Sequence, residues 1–170
     1  MNRALLALTP LYAAAVAAKN LAYDRGWLRA EHLRGPVISV GNLSVGGSGK
    51  TPLTLRLAEL LRERDLAVDV LSRGYGRRSE ATAKVDPQGS AQNFGDEPLL
   101  MARAGVLVYV GDSRYEAGML AERDAGSPRV HLLDDGFQHR QLARNVDVVV
   151  LHRGDFADQL LPAGDRKSVV

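Results

Sequence analysis

The chain has 170 residues and a mass of 18.4 kDa, with 45% hydrophobic and 25% charged residues. Those values suit one globular domain with a substantial core and exclude a disordered chain, a collagen-like repeat and a multi-span membrane protein. It has no cysteine, which excludes a disulfide scaffold, a thiolate zinc site and a thiol nucleophile, and a net charge of +2 gives no reason to expect a nucleic-acid partner.

The basic excess sits at the N-terminus, where Arg3, Lys19, Arg25, Arg29 and Arg34 face only Asp24 and Glu31. Ala4 to Ala18 carry no charge, but the run is shorter than the roughly 20 apolar residues of a membrane span. A signal peptide is a rival, yet no start of a mature domain follows it. At about 100° per residue, Leu5, Tyr12, Val16, Tyr23 and Trp27 share one face of an amphipathic helix. Its helix-forming composition continues to Arg34. Such a helix either packs on its own domain or lies on an anionic membrane surface.

From Pro36 onward, short β-rich runs alternate with helical ones. Strands are expected at Val37–Val40, Ala67–Leu71, Val106–Val110, Val130–Leu133 and Val146–Leu151, with helices near Pro52–Arg64, Glu97–Ala104 and Arg114–Ala125. Strands nearly continuous in Val, Ile and Leu are buried on both faces, as parallel strands are. The polar segment 76–95 reads as a long surface loop.

Directly after the first strand comes Gly41-Asn42-Leu43-Ser44-Val45-Gly46-Gly47-Ser48-Gly49-Lys50-Thr51, followed by a helix. Glycines let successive N–H groups curl around phosphate oxygens, a helix N-terminus adds partial positive charge, Lys reaches the β- and γ-phosphates and Thr binds Mg²⁺. Ser44 stands where the general pattern has Gly, but Gly46, Gly47, Ser48, Gly49, Lys50 and Thr51 keep the rest. The expected fold class is therefore α/β and P-loop NTPase-like, a mainly parallel sheet flanked by helices and preceded by an N-terminal amphipathic helix. A nucleoside triphosphate is the expected ligand.

A P-loop enzyme also needs a carboxylate at a nearby strand end for the Mg²⁺ shell. Val130-His131-Leu132-Leu133-Asp134-Asp135-Gly136 supplies two. His139 follows; alone it reads as structural or exposed. Gly95-Asp96-Glu97-Pro98 opens a helix, where Asp96 reads first as an N-cap. Arg73-Gly74-Tyr75-Gly76 follows the second strand, at the edge where α/β proteins place ligands, and suits an anionic substrate.

Taken in order, Gly41-Asn42-Leu43, Gly46 to Pro52, Ser72 to Gly76, Gly95 to Pro98, Asp134 to His139 and Leu161-Pro162-Ala163-Gly164 resemble the tetraacyldisaccharide 4′-kinase family of the Gram-negative lipid A pathway. The resemblance runs from about residue 10 to 164. It implies transfer of the γ-phosphoryl group of ATP to the 4′-hydroxyl of an anionic acylated glucosamine disaccharide lipid, at the cytoplasmic face of the inner membrane. It further implies that Lys50 and Thr51 bind ATP phosphates and Mg²⁺, that Asp134 and Asp135 take the metal-site positions, and that Asp96 activates the sugar hydroxyl. Tyr75, Arg114 and His139 match positions facing the lipid headgroup. Lys50, Asp96 and Asp135 are thus the expected catalytic residues, and no obligate protein partner is inferred.

The expected organisation is a membrane-facing helix over 1–34, a nucleotide-binding domain over 35–164 and a non-native tail over 165–170. Family members continue into a second α/β portion after the Leu-Pro-Ala-Gly stretch. Asp165-Arg166-Lys167-Ser168-Val169-Val170 instead matches a translated sequencing-adapter string, so a truncated fragment is expected; a parent DNA with a different codon run there would refute this. Two rival functions are a partner-switching P-loop ATPase or GTPase and a soluble small-molecule kinase. The first lacks support from an Asn-Lys-x-Asp guanine motif or from a lysine at position 45, which is Val.

Overall fold

The computed structural model describes residues 3–42 and 49–151. The elements are α1 (Arg3–Asp24), β1 (Val37–Asn42), α2 (Lys50–Arg62), β2 (Val68–Ser72), β3 (Ala83–Lys84), α3 (Ala91–Phe94), α4 (Asp96–Arg103), β4 (Leu107–Val110), α5 (Arg114–Ala125), β5 (Val130–Asp134) and β6 (Val146–Val150). The strands form one six-stranded sheet in the order β3-β4-β2-β5-β1-β6. Every pairing is parallel except β3 with β4. This is the mainly parallel α/β sheet that the Val-rich runs predict.

Side chains alternate across the sheet, as the period of two requires. Val68, Val70, Val108, Val110, Val130 and Leu132 pack with Ala58 of α2 and Leu99, Met101 and Ala102 of α4. Leu71, Tyr109 and Leu133 point the other way, onto Ala117 and Ala121 of α5. Fully burying each Val or Leu contributes roughly 1.5–3 kcal/mol, so both faces of the central strands are fixed by their own sequence. The expected surface loop 76–95 is more structured than its polarity suggests. It holds β3, whose Ala83 and Lys84 pair with Val110 and Tyr109, and the single turn α3. Elements this short have no readable periodicity.

The N-terminal helix also ends earlier than its composition suggests. It stops at Asp24, and Gly26 follows in the left-handed region at φ 71°, a conformation that terminates helices. Residues beyond it run back to the domain, where Glu31 N–H donates to Gln141 O at 2.8 Å and Ala143 N–H donates to Glu31 O at 2.8 Å. Tyr12, Val16, Asn20 and Tyr23 are half-buried, and the Arg140 guanidinium sits 5.3 Å from the Tyr23 ring centroid. The Tyr12–Val16–Tyr23 face therefore lies toward its own domain. Trp27 departs from it: beyond the helix end, it is 69% exposed.

The topology places a switch point at one sheet edge. From β1 the chain crosses to β2 on one side, whereas from β5, the neighbour of β1, it passes over β1 to β6 on the other. Loops leaving the carboxyl ends of β1 and β5 diverge there and open a crevice.

Away from that crevice, the other half of β2 and β5 buries an ion cluster. Asp69 Oδ1 is 2.7 Å from His131 Nδ1, and Glu122 Oε1 is 3.4 Å from His131 Nε2. Glu122 Oε1 also accepts from Arg34 N–H at 2.6 Å and Gly35 N–H at 2.9 Å, tying the entry to β1 onto α5. Burial works against a charged His131, but the hydrogen bonds and charges of Asp69 and Glu122 outweigh it and raise its pKa. A histidine with a raised folded pKa contributes stability that is complete below its unfolded value, about 6.5, and is lost as pH rises through the folded value. Thermal melts from pH 6 to 9 are expected to show Tm falling as pH rises above about 6.5, with the slope flattened in His131→Asn; equal slopes in both proteins would refute the charged cluster.

Candidate active site

Asn42, the last residue of β1, is 1% exposed, and its Oδ1 accepts a hydrogen bond from Lys50 Nζ at 3.1 Å. Gly49 enters α2 in the left-handed region at φ 76°. Lys50 and Thr51 form the first turn of α2, whose orphan N–H groups and dipole favour an anion. The expected loop residues Gly46, Gly47 and Ser48 lie outside the described residues, as do Leu161 to Gly164 and the tail.

Beside this turn, β5 ends in the acidic pair. Asp134 is 3% exposed, and its Oδ1 is buried without a hydrogen-bond partner. Burial first, then the charges of Glu97 and Asp135, push its pKa up to about 6, against the opposing pull of Lys50 and Arg114. Asp135 Oδ1 lies 3.6 Å from Lys50 Nζ. The backbone of Asp135 is left-handed at φ 50°, a conformation Asp adopts more readily than most residues. It turns the chain sharply, so that Gly136 N–H donates to Val40 O at 3.1 Å.

The β5–β6 loop then lies directly over β1. A Cβ on Gly41 would meet the Phe137 Cβ at 2.4 Å, so only glycine admits the loop. Gln138 Nε2 donates to Asn42 O at 2.9 Å, and Arg144 Nη1 donates to Phe137 O at 2.7 Å. These contacts hold the loop that carries His139.

The opposite wall is built by the loops after β2 and β4. Gly95, not Asp96, occupies the N-cap of α4, and Asp96 and Glu97 fill its first turn. The capping explanation for Asp96 therefore does not describe this helix. Arg114 opens α5, where Ser113 Oγ caps by accepting from Glu116 N–H at 3.2 Å. Arg114 is only 8% exposed, its Nε has no hydrogen-bond partner, and burial followed by the charge of Arg73 lowers its pKa. A buried guanidinium at a helix N-terminus, beside another arginine, is an arrangement completed by an anion. Burial, and then the charges of Arg114, Lys19, Arg144 and Arg73, push the His139 pKa down to about 4. Its imidazole is neutral near pH 7.

These walls enclose an open cavity of about 880 Å³. Lys50, Asp134 and Asp135 line it together with Asp96, Tyr75, Arg114 and His139. Thr51 belongs to the first turn of α2 but does not line the cavity. Tyr12, Ser72, Arg73, Glu97, Pro98 and Gln138 complete the lining. Most of these lie within the motifs around Tyr75, Asp96 and His139. Tyr12 had no such signal, because only the docking of α1 brings it there.

The donor set fits a hard cation. Asp134 offers a desolvated oxygen with no partner, raised in pKa by neighbouring carboxylates, and a cation would relieve both conditions. Mg²⁺ is the hard cation this pair suits, since it is held by one or two carboxylates together with water and phosphate oxygens.

A strand–loop–helix whose helix opens with Lys50-Thr51, next to a parallel strand leading into paired aspartates at a switch point, defines the P-loop kinase class of α/β fold. A crystal structure of LpxK from Aquifex aeolicus in complex with ATP is similar, with a TM-score of 0.90 and 44% identity over 96% of this chain and 53% of that one. The Tetraacyldisaccharide-1-P 4′-kinase family model matches residues 1–168, and the chain belongs to that family. The tetraacyldisaccharide 4′-kinase of Koribacter versatilis is 52% identical over 92% of this chain and 51% of the relative. The Aquifex aeolicus protein of the same name is 45% identical over 97% of this chain and 53% of the relative. The chain thus spans about half the length of the curated relatives it matches.

Proposed function

We propose that this chain supplies the nucleotide-binding half of a lipid kinase, which transfers the γ-phosphoryl group of ATP to the 4′-hydroxyl of a tetraacyldisaccharide 1-phosphate in lipid A biosynthesis. The observation that carries the reading is the shared cavity: Lys50 and the Asp134–Asp135 pair line it together with Asp96, Tyr75, Arg114 and His139. Membership of the kinase family and the ATP complex of the similar structure support it.

In this reading Gly46, Gly47, Ser48 and Gly49 cradle the phosphates, with Lys50 neutralising the β/γ-oxygens. Thr51, Asp134 and Asp135 hold Mg²⁺, which when bound spreads the charge of those oxygens. Asp96 orients the acceptor hydroxyl and takes its proton. The hydroxyl oxygen bonds to the γ-phosphorus as the bond to the β–γ bridging oxygen breaks, and ADP leaves. Arg114, Tyr75 and neutral His139 receive the anionic sugar headgroup. Residues 1–34 form the membrane-facing segment and residues from 35 onward the nucleotide-binding domain.

Localisation at the cytoplasmic face of the inner membrane rests on the surface near the end of α1. No helix among the described residues is long and apolar enough to cross a membrane. Leu21, Trp27 and Leu28 are nonetheless exposed, and the Arg25 guanidinium lies 5.4 Å from the Trp27 ring centroid. An aromatic ring, aliphatic side chains and arginines together suit a lipid interface.

The activity test is phosphate transfer by the full-length protein from Mg-ATP to tetraacyldisaccharide 1-phosphate; no bis-phosphorylated lipid would refute the reading. Asp96→Asn should lower kcat by roughly 10²–10⁴ with little change in KM for ATP, as expected on loss of a positioned base. Activity within a few-fold of wild type would instead leave Asp96 as a helix-dipole residue. For the membrane contact, Trp27→Ser with Leu28→Ser should sharply reduce co-sedimentation with vesicles containing an anionic phospholipid; undiminished sedimentation would move the contact elsewhere.

A further inference from the structure

We propose that Arg77 is a positioning residue for the acceptor side of the site, holding the loop between β2 and β3 in the shape that sets both Tyr75 and Asp96. The proposal rests on the acceptor-side roles given to those two residues.

The 73–82 loop is largely exposed, and Tyr75 itself is 87% exposed. Core packing therefore does not fix the tyrosine at the cavity. Arg77, two residues on, has a side chain only 4% exposed. Its Nε donates to Arg73 O at 3.1 Å, Nη1 donates to Ala81 O at 2.6 Å, and Nη2 donates to Glu80 O at 3.1 Å. Nη2 also donates to Asp112 Oδ1 at 3.0 Å. One planar fork thus ties the two ends of the loop together and joins them to the turn preceding Arg114. Four of the five guanidinium N–H donors are used, a pattern the point charge of a lysine cannot reproduce.

The loop held this way lies in backbone contact with the start of α4. A Cβ on Gly95, itself at φ 89°, would meet Gly74 C and Tyr75 O at 3.0 Å, and a Cβ on Gly74 would meet Phe94 O at 2.8 Å. Arg78 N–H also donates to Gln92 O at 2.7 Å. Residues 74 and 75 cannot shift without moving Gly95, and Asp96 is the next residue. Arg77 thereby couples the headgroup-facing tyrosine to the residue that orients the hydroxyl. It acts through both and touches neither substrate.

The test uses Arg77→Lys in the full-length protein. Expected is a rise of about ten-fold or more in KM for the lipid acceptor, with a fall in kcat, since small misplacements cost about that much or more. KM for ATP should stay within about two-fold. In a double-mutant cycle with Tyr75→Ala, the combined loss should fall well short of the product of the single losses. Independently of activity, amide hydrogen exchange over residues 73–82 should quicken in Arg77→Lys while β2 and β4 keep wild-type protection. Asp112→Asn, which removes one bond of the fork, gives the same exchange readout in a milder form should Arg77→Lys fold poorly. Unchanged exchange in the folded variant, equal rises in both KM values, or losses that simply multiply would each overturn the proposal. An inactive wild type refutes the kinase reading alone, and the exchange measurement then still decides whether Arg77 holds the loop.

Discussion

Two adjacent carboxylates at the end of a buried strand are the constraint around which the rest of this structure is arranged. Asp134 is desolvated, its Oδ1 has no hydrogen-bond partner, and its pKa is pushed up to about 6. Each pKa unit corresponds to about 1.4 kcal/mol between the two protonation states, so even with compensating charges nearby the ionised form of Asp134 is on the order of a few kcal/mol less favourable than that of a solvated aspartate. The placement of β5 beside β1 supplies part of that compensation through Lys50, 3.6 Å from Asp135. Arg114 supplies more from the far wall. Glu97 works in the opposite direction and raises the Asp134 pKa further. A fold selected for stability alone would not gather these carboxylates; a cation-dependent site gives them a reason.

Much of this was legible in the residues. Nearly continuous runs of Val, Ile and Leu marked the central strands, because burial on both faces leaves little freedom in composition. The lysine–threonine turn and the Asp-Asp-Gly turn were readable because their chemistry depends on local order along the chain. What could not be read depends on packing between distant segments. Nothing near Tyr12 signals that it lines the cavity, since that follows from where α1 docks. Asn42 looked like part of a glycine-rich loop, yet it is the buried acceptor for Lys50. Asp96 has the sequence context of an N-cap, whereas Gly95 occupies that position, and β3 and α3 are too short to carry a pattern.

The charge of the cavity is divided by element. Carboxylates come from β5 and the first turn of α4, and guanidinium groups from the loop after β2 and the start of α5. Lys50 joins the two sets. In the proposed reading the acidic turn after β5 serves a metal-bound nucleotide, while the guanidinium groups and Asp96 serve the anionic acceptor. This division also explains why the loops matter as much as the sheet: the sheet fixes Asp134, whereas Asp96 and Tyr75 are only as well placed as the loops that carry them.

The central claim is that the buried Asp134 waits for a cation brought with a nucleotide. Calorimetric titration of the chain with ATP, in the presence and absence of Mg²⁺ and from pH 5 to 8, tests it most directly. Mg²⁺-dependent affinity should rise as pH increases through about 6, where Asp134 ionises, and both the Mg²⁺ dependence and the pH dependence should collapse in Asp134→Asn. Binding that is indifferent to Mg²⁺ and to pH, and unchanged in Asp134→Asn, would contradict the account.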